Sequence, residues 1–195
     1  MAAPDLVAPV LLLAMPQVAD PFFKKSVVLL LAHEDEGSFG FIVNRSTELK
    51  VGDILRDLEL EWSGDPAALA GFGGPVQPQI GTLLYADPPG EELPELPNSS
   101  EILPRIRLSQ NLSELALLAT QPPQRFRLLL GYAGWGSGQL VSEILRNDWL
   151  TAPVDEALIF GDGTETTWER GLRSVGVDPA SLPAWTEDET EDEPN

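Results

Sequence analysis

The sequence predicts an α+β fold in one compact domain, on three observations. The runs Val7 to Ala14 and Ser26 to Ala32 are apolar without helical gaps, the mark of strands buried on both faces. Val51, Ile54, Leu55 and Leu58, and later Leu112, Leu115, Ala116 and Ala119, recur at helical spacing, so each set describes one buried stripe of a helix. A chain of 195 residues is long enough for one well-buried core and short for two.

The elements follow in order. Pro16 and the pair Asp20-Pro21 close the first strand, and Ser26 to Ala32 forms the second. His33 to Ser38 is a turn cluster, after which Phe39 to Val43 returns as the other arm of a hairpin. The first helix, over Val51 to Leu58, precedes a break at Gly64-Asp-Pro66. Gly71 to Pro78 is too rich in Gly and Pro for a regular element, and Ile80 to Tyr85 regains strand character. Asp87 to Asn98 reads as a surface loop and Arg105 to Leu108 as a short strand. Ser109 or Asn111 caps the second helix, which Pro122-Pro123 stops. A strand over Arg125 to Gly131 enters a glycine-rich loop. Leu140, Val141, Ile144 and Leu145 mark a third helix, Ala157 to Phe160 a further strand, and Thr166 to Val175 a last helix stopped by Gly176. The domain spans residues 1–186.

Charge narrows the function classes. The formal net charge is −19, and six acids fall in residues 187–195, a segment with too little apolar surface to order itself and read as a disordered acidic tail. Twelve Lys and Arg against 31 acids disfavour direct nucleic-acid binding, which draws on cations neutralising phosphates. The absence of cysteine removes disulfides and thiolate chemistry, a single His makes no zinc site, and the acids lack the spacing of a cation-binding loop. Neither metal nor cofactor is expected. The apolar run at Leu6 to Ala14 carries Asp5 and no basic flank, so it reads as a strand of a cytoplasmic protein and not as a leader or membrane span.

The richest candidate site is Gly131-Tyr-Ala-Gly-Trp-Gly-Ser-Gly-Gln-Leu140. A strand entering glycines and then a helix has the grammar of an anion-binding turn. The spacing departs from a dinucleotide fingerprint, because Gln139 stands where the third glycine belongs, and Walker A would need a Lys. Asp162 is placed to play a ribose-binding acid. Two readings stand side by side. In one, Gly131, Tyr132, Gly134, Trp135, Gly136, Gly138 and Gln139 bind a ligand through free amides and aromatic faces. In the other, the glycines only permit left-handed backbone and tight aromatic packing.

A second cluster is His33 with Asn44 and Arg45 at the ends of the hairpin strands. His33, beside Glu34, Asp35 and Glu36, is either an acid-base group or a hydrogen-bonded strand-end residue. Arg45 is suited to a carboxylate, or to tying the turn. No G-x-S-x-G elbow accompanies His33.

Together these stretches resemble the YqgE/AlgH family of bacterial proteins. The matching pieces are Leu12 to Pro16, Asp20-Pro-Phe22, Ser26-Val27, His33, Gly37, Gly40, Asn44-Arg45, Gly73-Gly-Pro-Val76, Gly131 to Leu140, Glu143, Asn147 and Trp149-Leu150. The resemblance covers roughly residues 6–182. It implies a curved, barrel-like mixed sheet flanked by helices and a bacterial cytoplasmic setting. Ala32 stands near where family members often carry a cysteine, and Pro-Ala-Trp185 replaces a Gly-His-Ala-like ending. One branch of the family is labelled a transcriptional regulator. With this charge and without a recognisable helix-turn-helix, such an influence is expected to pass through a ligand or protein partner. The leading expectation is therefore a non-enzymatic module binding a small molecule or protein, with an enzyme using His33 and a DNA-binding regulator as rivals.

Overall fold

The computed structural model describes residues 6–88, 90 and 96–185. In chain order the elements are β1 (Val10–Ala14), β2 (Val27–Glu34), β3 (Gly37–Ile42), β4 (Ser46–Lys50), α1 (Val51–Asp57), β5 (Leu69–Phe72), β6 (Val76–Ala86), β7 (Ser100–Leu103), β8 (Ile106–Ser109), α2 (Leu112–Thr120), β9 (Phe126–Gly136), α3 (Gln139–Leu145), β10 (Trp149–Ala152), α4 (Glu156–Ile159) and α5 (Thr164–Ser174). The strands run β10-β1-β2-β3-β9-β6-β8-β7 in one sheet, with β5 joining β4 to β9. The pairs are antiparallel except β5 with β9, and the sheet curls into a half-barrel within a single α+β domain. Among the described residues, no helix is long and apolar enough to cross a membrane.

The apolar runs are continuous because both faces of the early strands are covered. Leu11, Leu13, Val27, Leu29 and Phe41 face one cluster with Trp168 and Leu172 of α5. Their neighbours Leu12, Ala14, Val28, Leu30 and Ile42 face a second cluster with Trp135, Leu140 and Trp149. Side chains alternate across a strand, so both faces of Leu11 to Ala14 and Val27 to Leu30 meet protein, and each fully buried leucine contributes roughly 1.5–3 kcal/mol. A third cluster joins α1, α2 and the sheet through Val51, Leu55, Leu83, Tyr85, Leu115, Leu118 and Leu128. The indole N–H of Trp168 donates to the Ala14 carbonyl at 2.8 Å, fastening α5 to β1.

Several expectations are corrected. Ala157 to Phe160 is not a strand: Asp155 caps α4 there, its carboxylate accepting from the Ala157 N–H at 2.8 Å. An apolar run of four residues satisfies either period, so the cap decides. Gly71 to Pro78 contains the end of β5 and the start of β6, both paired to β9, so Gly71 sits in a strand and Gly73-Gly74 in the short link between two strands. Residues 131–136 are no loop, because β9 continues through Gly136. The strand–helix–strand order of this region is not a parallel crossover either, since β10 pairs antiparallel with β1, at the far side of β2 and β3 from β9. Asp162 consequently follows a helix, without the strand a ribose-binding acid needs. β4, β7 and β10 are strands that the sequence patterns do not announce. Asn111 caps α2, its side-chain oxygen accepting from the N–H groups of Ser113 at 2.9 Å and Glu114 at 3.2 Å. The acidic tail and part of the Asp87 to Asn98 loop lie outside the described residues.

Candidate functional site

The glycine motifs meet where two backbones cross. Gly131 has φ +70°, and a Cβ placed there would run into the Gly74 carbonyl; one placed on Gly74 would run into the Tyr132 backbone. Gly73-Gly74 and Gly131-Tyr132 are therefore two halves of one close approach, which any side chain would wedge apart. The Tyr132 ring packs on Phe39, centroids 5.0 Å apart. Gly134 and Gly136 are exposed on the strand, and Gly138, at φ +69°, turns the chain into α3.

Beyond the crossing, a single carboxylate gathers the polar atoms. Glu143 Oε2 accepts from the indole N–H of Trp135 at 2.9 Å and of Trp149 at 2.8 Å. Its Oε1 accepts from the Gln139 amide at 2.9 Å, and Gln139 Oε1 in turn accepts from the Gly136 N–H at 3.0 Å. The indoles stand edge to face at 5.9 Å, and Phe23 closes on Trp149 at 5.7 Å and on Trp135 at 6.1 Å. Trp135 is 6% and Trp149 4% exposed, so neither presents a ring to solvent. Trp135, offered by the sequence as a ligand contact, spends its indole N–H within the chain, and the exposed Gln139, offered likewise, spends one of its two amide N–H groups there. Glu143 is the residue that the site reading omitted; it lies one helical turn after Gln139, a spacing that puts the two side chains together.

Asn44 is 4% exposed and fully engaged. It accepts from the Val27 N–H at 2.7 Å and donates to the carbonyls of Lys25 at 2.9 Å and Thr164 at 2.7 Å. Arg45 donates to the carbonyls of Pro21 at 2.7 Å and Lys24 at 2.6 Å. Burial pulls its guanidinium below the ordinary arginine value, with Asp20 pushing back. Both residues hold the turn between β1 and β2. His33 sits at the other end of β2, its Nδ1 hydrogen-bonded to Ser38 Oγ at 2.7 Å, and Ser38 is the cross-strand neighbour of Trp135. From Val27 to His33 a strand covers about 20 Å at ~3.3 Å per residue. His33 thus stands near Trp135, whereas Asn44 and Arg45 belong to a separate place.

Four clefts on the described surface are each lined without His33, Asn44 or Trp135. Two adjoining polar ones share Gln124, Arg125 and Glu156. Arg125 pairs there with Glu156, and Arg127 donates to the Ile159 carbonyl at 3.0 Å and to that of Gly161. Burial lowers the Arg127 guanidinium from its ordinary value, against the pull of Asp162. A third cleft, of ≈ 280 Å³, lies beside Trp62 and Phe126. The fourth, of ≈ 320 Å³, opens between α1 and the start of α2 over β6 and β9. Its walls are Ile54 and Leu58 of α1, Leu112 and Leu115 of α2, and Leu83, Leu128 and Leu130 of the sheet, with Gly81 in the floor and Asp57, Gln79, Gln110 and Asn111 around them. Leu58 is 44% and Leu112 54% exposed. Among the described residues, no three His, Asp or Glu side chains come together to hold a metal ion.

A family model described as DUF179, AlgH-like, matches residues 11–180. The chain belongs to the AlgH-like family. A UPF0301 protein of Myxococcus xanthus is 42% identical over 176 residues, covering 90% of this chain and 94% of that one. Another, from Methylococcus capsulatus, is 39% identical, covering 88% and 90%. Among solved structures, the AlgH protein of Pseudomonas aeruginosa superposes with TM-score 0.72 at 30% identity, over 91% of this chain and 93% of that one. A crystal structure of a Corynebacterium diphtheriae protein gives TM-score 0.70 at 22% identity and shares the fold. The AlgH-like match runs through the backbone crossing and the Glu143 cluster, and takes in the cleft between α1 and α2 as well.

Proposed function

We propose that this AlgH-like chain is a non-enzymatic binding module whose ligand site is the cleft between α1 and α2. The observation that carries the reading is the lining: a concave floor and walls of leucine and isoleucine, interrupted by a few amide groups. Small-molecule sites combine an apolar body with a few orienting polar groups, within volumes of roughly 300–1,000 Å³. The cleft is at the small end of that range. In this reading the Gly131 to Gln139 segment, with Asn44 and Arg45, is scaffold: its donors hold Glu143 and the turn between β1 and β2, and the sheet they brace presents β6 and β9 to the ligand.

The test uses Nile red, a neutral apolar dye, with two cleft variants and one variant outside the cleft. A Cβ on Gly81 would stand 3.2 Å from Leu128 Cδ1, so Gly81→Val fills the floor while suiting a strand. Leu112→Gln strips an exposed wall residue without touching the core. The full chain is expected to bind the dye at one site, Gly81→Val to lose it, and Leu112→Gln to bind about five-fold more weakly, in line with loss of roughly 1 kcal/mol of apolar contact. Trp135→Phe is expected to keep it. Equal binding by all four proteins, with native circular dichroism, would remove the cleft from consideration.

A further inference from the structure

We infer that the cleft between α1 and α2 selects a cationic amphiphile: a small molecule with an apolar body and a primary ammonium head. The inference rests on the cleft being the ligand site and adds the charge of the ligand. Among the described residues, Asp57 is the one charged side chain lining the cleft. It ends α1 at the mouth, next to Leu58. Arg56, the nearest cation in sequence, does not line the cleft and is paired with Asp53 at 2.9 Å. The amides on the rim are neutral and carry both donors and acceptors. Gln110 donates one N–H to Thr82 Oγ1 at 2.9 Å. Asn111 spends its side-chain oxygen on the Ser113 and Glu114 N–H groups, so those donors at the start of α2 are not offered to an anion.

An apolar chain laid over the Gly81 floor therefore ends among neutral amides and one carboxylate. An ammonium has three donors, which the Asp57 carboxylate and the amide oxygens can accept. A carboxylate head would instead face Asp57, with no lining cation to meet it. The charge of the whole chain, −19, acts in the same direction at longer range.

The experiment measures displacement of Nile red from the full chain by n-octylamine, n-octanol and octanoate, at neutral pH and roughly physiological salt, where distant charges are screened. Octylammonium is expected to bind about 30-fold more tightly than octanoate, with octanol between them. That follows from about 1 kcal/mol of attraction for one ion and a similar repulsion for the other at rim distances. Asp57→Asn is expected to bring the ratio to a few-fold while octanol binding stays unchanged, which separates the local carboxylate from the general charge. Gly81→Val, expected to bind no dye, serves as the blank against which displacement is read. If octanol displaces the dye and octylammonium does no better than octanoate, the ligand class is wrong and the site stands. An undiminished ratio in Asp57→Asn also overturns the inference, since the preference would then come from elsewhere on the surface. If none of the three competes and Gly81→Val binds the dye as before, the site itself is wrong.

Discussion

Glu143 is the residue on which most of the conspicuous motif converges. The indole N–H groups of buried Trp135 and Trp149 and the exposed Gln139 amide end on its carboxylate, so its removal leaves the two indoles without their acceptor. A buried donor left without an acceptor costs about 1–3 kcal/mol. Glu143→Ala is expected to lower the unfolding free energy in urea by about 2–4 kcal/mol, and Glu143→Gln, which keeps one acceptor oxygen, by about half as much. Gly131→Ala tests the backbone crossing. It combines a left-handed φ with collision against the Gly74 carbonyl, and strain of that kind costs of order 1–3 kcal/mol before the crossing opens. A drop of at least that size in a urea titration is expected, whereas Gly138→Ala, also left-handed but with nothing near its Cβ, is expected to lose less.

At the scale of elements, the buried strands and the four longer helices were legible because period and length agreed there. Leu11 to Ala14 and Val27 to Leu30 are covered on both faces, and they belong to the longer apolar runs Val7 to Ala14 and Ser26 to Ala32, which Pro16 and Asp20-Pro21 bound as they would a buried strand. The helix cap at Asn111 was legible for a chemical reason, a side-chain oxygen one residue before an apolar stripe. Asn111→Ala is expected to destabilise the chain by about 1 kcal/mol, and to speed amide exchange at Ser113 and Glu114 before the rest of α2. What was hidden in the pattern follows from partners far away in sequence. Gly73 and Gly74 look like turn formers until Gly131 arrives beside them, and the tetrad over Ala157 to Phe160 has no period of its own. The site was legible as a set of special residues but not as a purpose. Trp135 is buried against Glu143 while Gln139 stays exposed on the same carboxylate, and His33 and Asn44 occupy opposite ends of one hairpin. The cleft was silent because its lining comes from α1, β6, α2 and β9, each contributing leucines that, taken one element at a time, read only as core.

For the whole molecule, the excess of acids sets the response to solution conditions. Self-repulsion among 19 uncompensated charges opposes the compact state. The thermal midpoint is expected to rise by several degrees between roughly 20 mM and roughly 0.5 M sodium chloride, as the Debye length falls from about 20 Å to a few ångströms. Calorimetry at the two salt levels checks this, and a midpoint that stays level or falls would mean that local ion pairs such as Lys25 with Glu165 outweigh the general repulsion. The order of the sheet has a bearing on synthesis as well. β1 lies between β2 and β10, with Leu11 opposite Ala152 and Ala14 opposite Trp149. While a ribosome is still extending the chain, β1 and β2 can pair early, but one edge of β1 stays bare until residues 149–152 have left the exit tunnel. For most of its translation the nascent protein therefore carries an unpaired strand of valine, leucine and alanine, the kind of surface that trigger-type chaperones cover and that prematurely terminated chains would aggregate through.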